Sequence, residues 1–149
     1  MTDYPKQDHE INLLTTDNVR ISGLINVLGR SISNYLQGTE PDIVMYQCMI
    51  NGSQNARTLI LSKNHSLWVH TGEKPLTDRI GNWQTLNFRM INGDIIKGDV
   101  NMTGYDRVSD YLQNFNERYY EVYYAESKGD CFDMLYLSRL ATVWKEPAN

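Results

Sequence analysis

Arg107, Ser109 and Asp110 form the best functional candidate in the chain. An arginine fork can hold a carboxylate or a phosphate with two parallel hydrogen bonds. Ser109 and Asp110 open a short apolar stripe of helical period, where the free N–H groups of a first turn favour anions. Arg30 and Ser33 form a weaker version earlier in the chain, with Asn34 in the place of Asp110. A plainer reading needs no ligand: Asp110 complements the helix dipole, Ser109 bonds locally and Arg107 pairs with a carboxylate. The divergence of the earlier stretch favours that plainer reading over two equivalent anion sites.

Tyr120 and Tyr123 are the other binding candidates. Adjacent residues of a strand point to opposite faces, so one of Tyr119/Tyr120 and one of Tyr123/Tyr124 is expected to leave the core. An exposed tyrosine is a common interface anchor. Glu117, Glu121 and Glu126 interleave with these rings, which disfavours a stacking platform for single-stranded nucleic acid.

Nucleophilic catalysis needs Ser or Cys with a histidine and an orienting acid. The chain has no G-x-S-x-G, no P-loop and no dinucleotide fingerprint: no two glycines stand at G-x-G spacing, and Gly93, Gly98 and Gly104 sit in a hairpin context. His9, His65 and His70 are the three histidines; His65 and His70 are placed to meet across a strand pair, but no Cys or carboxylate stands at metal-ligand spacing beside those two. Cys48 and Cys131 stand far apart without a CxxC and are expected as free, buried thiols. These patterns lead to an expectation of no enzyme, no cofactor and no metal.

The elements that would position these residues occur twice. Ile21/Ile96, Gly23/Gly98 and Asn26/Asn101 match at an offset of 75. Tyr35/Tyr111, Gln37/Gln113, Leu61/Leu137, Ser62/Ser138 and Trp68/Trp144 match at 76, after one inserted residue near Tyr105. Val19, Ile21, Gly23, Ile25 and Val27 alternate at period two, as do Ile96, Gly98, Val100 and Met102, so each set reads as a strand with one buried face. The central glycine of each strand predicts a bulge, a bend or a close backbone approach. Ile32, Tyr35 and Leu36 then fall at helical spacing, as do Val108, Tyr111 and Leu112. Three strand-like runs follow each helix, at Ile43–Ile50, Arg57–Leu61 and Ser66–His70, and again at Tyr119–Ala125, Met134–Leu137 and Ala141–Lys145.

The division is therefore a loose tail over 1–9, repeat A over 10–71, a connector over 72–84 and repeat B over 85–146. Each repeat reads strand, strand, helix, strand, strand, strand, which is a β-rich α+β class. Roughly 60–65 residues lie near the lower limit for an independent core. The two copies are expected to pack as an intramolecular pseudo-dimer or to share a barrel or sandwich.

A charged fraction of 21% and a net charge of -4 fit a soluble globular protein and argue against a sequence-independent grip on nucleic acid or anionic membrane. No export signal opens the chain and no apolar run reaches the roughly 18 residues of a membrane span, so cytoplasmic residence without membrane insertion is the expectation.

Each copy resembles the small bacterial β-domain family DUF6812, whose form is a glycine-containing hairpin, then Arg-Leu-Ser-Asp-x-Leu-Asn, then strands closing on an aliphatic or aromatic anchor. The matching stretches are Arg30 to Gln37 and Arg107 to Gln113, closing near Leu59–Lys63 with Trp68, and near Leu135–Arg139 with Trp144. The first copy has an extra residue between Arg30 and Ser33, and both copies have Gln where the family tends to Asn. The resemblance implies a small β-domain and no established activity. The leading expectation is a non-enzymatic interaction or assembly module with a protein partner or homo-oligomer. The alternative is a small Sm-like or barrel-type nucleic-acid or nucleotide binder.

Overall fold

The structure, a computed structural model, describes residues 8–53, 57–75 and 80–148. The first half runs β1 (Asp8–Thr15), β2 (Arg20–Asn26), α1 (Ile32–Gln37), β3 (Asp42–Ile50), β4 (Arg57–Ser62) and β5 (Ser66–His70). A single 3-10 turn, Lys63–His65, joins β4 to β5. The second half runs β6 (Trp83–Met90), β7 (Ile95–Asn101), α2 (Val108–Asn114), β8 (Tyr119–Ser127), β9 (Asp130–Ser138) and β10 (Thr142–Pro147). The ten strands of the described residues form one β-rich antiparallel sheet in the order β10-β6-β7-β8-β9-β5-β1-β2-β3-β4.

The period-two runs become strands because each can put one face against a core. In β7 the buried residues are Ile96, Gly98 and Val100, with Ile95, Lys97 and Asn101 exposed between them. The central glycines meet the expectation placed on them. Gly23 sits where the β2–β3 register slips between Ser22 and Leu24, and a Cβ there would lie 2.8 Å from the Tyr46 carbonyl oxygen. Gly98 marks the slip between Lys97 and Asp99, and a Cβ there would lie 3.0 Å from the Tyr123 carbonyl and against Val122. The bulge bends each strand, and only a residue without a side chain lets the neighbouring backbone approach.

Two hydrophobic cores result, and each draws on both halves. One joins Leu86, Phe88, Ile96 and Tyr120 to Leu14, Leu67 and Trp68. The other joins Ile11, Ile25, Leu36 and Ile43 to Tyr119, Met134 and Tyr136. Strands β8 and β9 lie between the cores, and at Tyr119 and Tyr120 both faces of β8 are covered. This corrects the reading of the tyrosine pairs. Tyr119 and Tyr120 are both fully buried, one in each core, so Tyr120 is no exposed anchor. Of the next pair, Tyr123 is half-buried and Tyr124 is exposed. Cys48 is buried as expected, but Cys131 is exposed, near the hairpin end of β9. Asp8 and His9, expected in a loose tail, belong to β1; positions 1–7, 54–56 and 76–79 of the expected tail, turn and connector lie outside the described residues. His65 and His70 do not meet across a strand pair: His65 closes the 3-10 turn and His70 pairs with Asn12.

Lys63 was not singled out by the sequence, yet its side chain is 1% exposed. Its ammonium donates to the carbonyls of Tyr35 at 3.0 Å and Gly38 at 3.3 Å, and so satisfies the C-terminal end of α1. Burial, then the charge of Arg118, lowers its pKa from 10.5 to about 8. The unfolded chain thus holds more protons on this group between those two values, and stability must rise with pH across that window. We expect the unfolding free energy to gain about 1–2 kcal/mol between pH 8 and 9.5, with a flatter profile for Lys63→Met, read by urea denaturation. A wild-type profile matching the variant's would refute a buried, charged Lys63.

Candidate functional site

A cavity of about 370 Å³ opens where α1 approaches β8. Strand alternation directs Tyr119, Glu121 and Tyr123 to one face of β8, and all three line it. Ser33, Asn34 and Gln37 enter from α1, because the buried stripe of that helix, Ile32, Tyr35 and Leu36, leaves them on the other side. Tyr111 and Phe115, from α2 and its C-terminal cap, line the cavity with Trp83 at the start of β6.

Two contacts hold α1 to this face. Ser33 Oγ donates to Glu121 Oε1 at 2.8 Å. Gln37 pairs with the backbone of Tyr119 as a neighbouring strand would: its Nε2 donates to the Tyr119 carbonyl at 2.7 Å, and its Oε1 accepts from the Tyr119 N–H at 2.9 Å. Tyr119 is further held by a 2.7 Å hydrogen bond between its hydroxyl and that of Ser66, and burial pushes its pKa up to about 12.

The aromatic wall is ordered by ring contacts. Trp83 meets Tyr123 edge-on at 5.2 Å, and Tyr111 meets Phe115 at 5.4 Å. Burial raises the pKa of Tyr111 and of Tyr123, and the Glu121 charge adds to both. Both phenols therefore stay neutral. Among the described residues Glu117 and Glu121 give the lining its charge, and no described lining residue is a Lys or Arg. Aromatic faces beside carboxylates suit an organic cation and repel a phosphate. No group of three or more His, Cys, Asp or Glu among the described residues is placed to hold a metal ion.

Of the sequence candidates, the cavity gathers Ser33 and Tyr123. Arg107 occupies the N-cap position of α2 without a side-chain capping bond, and Ser109 and Asp110 follow it, all three exposed. Arg30 pairs with Glu40 at 2.9 Å and lies over the Tyr35 ring at 5.2 Å, a structural role. Tyr120 lies in the core. The chain matches no family model, no curated protein and no solved structure. No helix among the described residues is long and apolar enough to cross a membrane.

A second feature lies at the ends of the sheet. Among the described residues β4 pairs only with β3, and β10 only with β6. Ile60 on β4 is 71% exposed, and on β10 Val143 is 63% and Trp144 40% exposed. An apolar strand edge with free backbone groups is a template for another chain. The sequence offered a signal here in the recurrence of Trp68 as Trp144, but whether the second tryptophan is covered depends on strand order.

Proposed function

We propose that the chain is a non-enzymatic interaction and assembly module built from two copies of one five-stranded unit, with its contacts made through the outer strands of the sheet. The observation that carries this reading is the pair of one-sided edges, β4 and β10, with Ile60 exposed on the first and Val143 and Trp144 on the second. The duplication is supported by register. Leu13 faces Ile21 as Phe88 faces Ile96, and Gly23 faces Ile11 as Gly98 faces Leu86. Leu14 faces Trp68 as Arg89 faces Trp144. The alternative of a nucleotide or nucleic-acid binder finds less support, since the cavity presents Glu117 and Glu121 to a ligand.

The test is a tagged pull-down from lysate, with and without nuclease, read by mass spectrometry. Protein partners are expected to survive nuclease and to fall at least tenfold with Ile60→Lys or Trp144→Glu. Recovery of nucleic acid, with partners lost after nuclease, would replace this reading with the alternative.

A further inference from the structure

The two open edges have a paired counterpart inside the molecule. At the centre of the sheet β5 lies antiparallel to β9, with Trp68 opposite Leu137 and Val69 opposite Tyr136. These four residues are 2%, 0%, 0% and 1% exposed in the order Trp68, Val69, Leu137, Tyr136. The offset of 76 that relates Leu61 to Leu137 and Trp68 to Trp144 makes β4 the counterpart of β9, and β10 the counterpart of β5. The halves therefore join through one kind of contact, and the molecule ends in the two surfaces of which that contact is made.

We propose that β10 of one copy of this chain adds to β4 of a second copy in the β5–β9 register. Trp144 then faces Leu61 of the second copy, and Lys145 faces its Ile60. The proposal rests on the duplicated-unit reading given above. Three observations beyond strand pairing support it.

The ring of Phe132 on β9 packs on Trp68 at 5.3 Å. Phe132 faces Ala125 as Arg57 faces Cys48, so Arg57 of the second copy reaches the Trp144 ring, a favourable cation–π pair. Gln37 clamps the Tyr119 backbone across the internal junction. Its counterpart Gln113 is exposed, and the counterpart of Tyr119, which faces Ser138, is Asp42, which faces Ser62. Gln113 would thus meet the Asp42 backbone of the second copy. Lastly, Lys145 stands where Val69 does in the other half; its ammonium lies over the Tyr120 ring at 5.8 Å, which leaves its aliphatic stem to cover Ile60 of the second copy.

Such a contact is heterologous: each copy offers one edge of each kind, so growth ends in a closed ring or continues as a filament. Light scattering on the purified full chain is expected to give a mass of several times 17.3 kDa. Ile60→Lys or Trp144→Glu alone should each give single chains of 17.3 kDa, because every contact needs one intact edge of each kind. Mixed one to one, the two variants should form a species of two chains and no larger, since each keeps the edge the other lacks. Gln113→Ala, on α2 and outside both edge strands, should weaken assembly at least tenfold without altering thermal unfolding, and serves if an edge variant misfolds. A wild-type single chain at hundreds of micromolar, edge variants that stay assembled, or a mixture that stays monomeric would each overturn the proposal. A purified monomer whose lysate partner is still lost on Ile60→Lys would overturn self-pairing alone and leave the interaction-module reading standing.

Discussion

Tyr120→Ala is expected to lower the unfolding free energy by about 3–5 kcal/mol, the range for removing a buried aromatic ring. Tyr120 is 0% exposed and stacks on Phe115 at 4.5 Å, with Phe88 at 5.1 Å. Those partners come from β6 and the α2 cap, so truncation opens a void among three elements at once. Tyr120→Phe should behave quite differently. The buried hydroxyl of Tyr120 has no hydrogen-bond partner among the described residues, and its removal leaves none of them unpaired. We expect that variant to stay within about 1 kcal/mol of wild type or to gain stability. Urea denaturation of both variants checks the pair. A Tyr120→Ala protein as stable as wild type would contradict the placement of β8 between two cores.

Gln37→Ala is expected to lose about 2–4 kcal/mol, because it strips the partners from both backbone groups of the buried Tyr119. Gln113→Ala, at the same place in the other half, removes an exposed side chain and should change the stability of a single chain by less than about 0.5 kcal/mol. Gln37→Glu is the sharper probe. As a carboxylate it still accepts from the Tyr119 N–H but sets a negative charge against the Tyr119 carbonyl. As a neutral acid it can donate there again. Its folded pKa must therefore lie above the ordinary value of about 4.3, and its stability is present at low pH and lost as pH rises through that raised pKa. Wild type should show no such step at this position. Equal stability of Gln37→Ala and Gln113→Ala would refute the clamp between α1 and β8.

Much of this architecture was legible in the residues. The alternation around Gly23 and Gly98 gave the strands, and the glycines themselves gave the bulges. Helical spacing located α1 and α2 to within a residue or so. The strand at Met134 was read four residues short, since β9 begins at Asp130. Asp130 and Cys131 are exposed and Asp133 is half-buried, and these polar or small residues interrupt the apolar pattern although Phe132 packs on the core. The tyrosine pair was misread for a different reason. Alternation reveals a buried face only when the opposite face is wet, and β8 has no wet face at Tyr119 and Tyr120.

The cavity was beyond sequence reading because its walls are set by strand order. Ser33 and Glu121 touch across 88 positions, and no local pattern announces that pairing. The one sign was that Ser33, Asn34 and Gln37 all point away from the apolar stripe of their helix. Arg107, Ser109 and Asp110 drew notice for their chemistry, and the fold leaves them in solvent.

The way the two cores share residues also decides what can be cut from this molecule. A fragment ending near residue 75 would lose Tyr119, Met134 and Tyr136 from its own interior and bare Trp68 and Val69 along a raw strand. The complementary fragment would lose Leu14, Leu67 and Trp68. What reads in the sequence as two interchangeable modules is thus one cooperative unit. Heating should show a single transition with equal calorimetric and van't Hoff enthalpies, and neither half should survive excision as a folded domain.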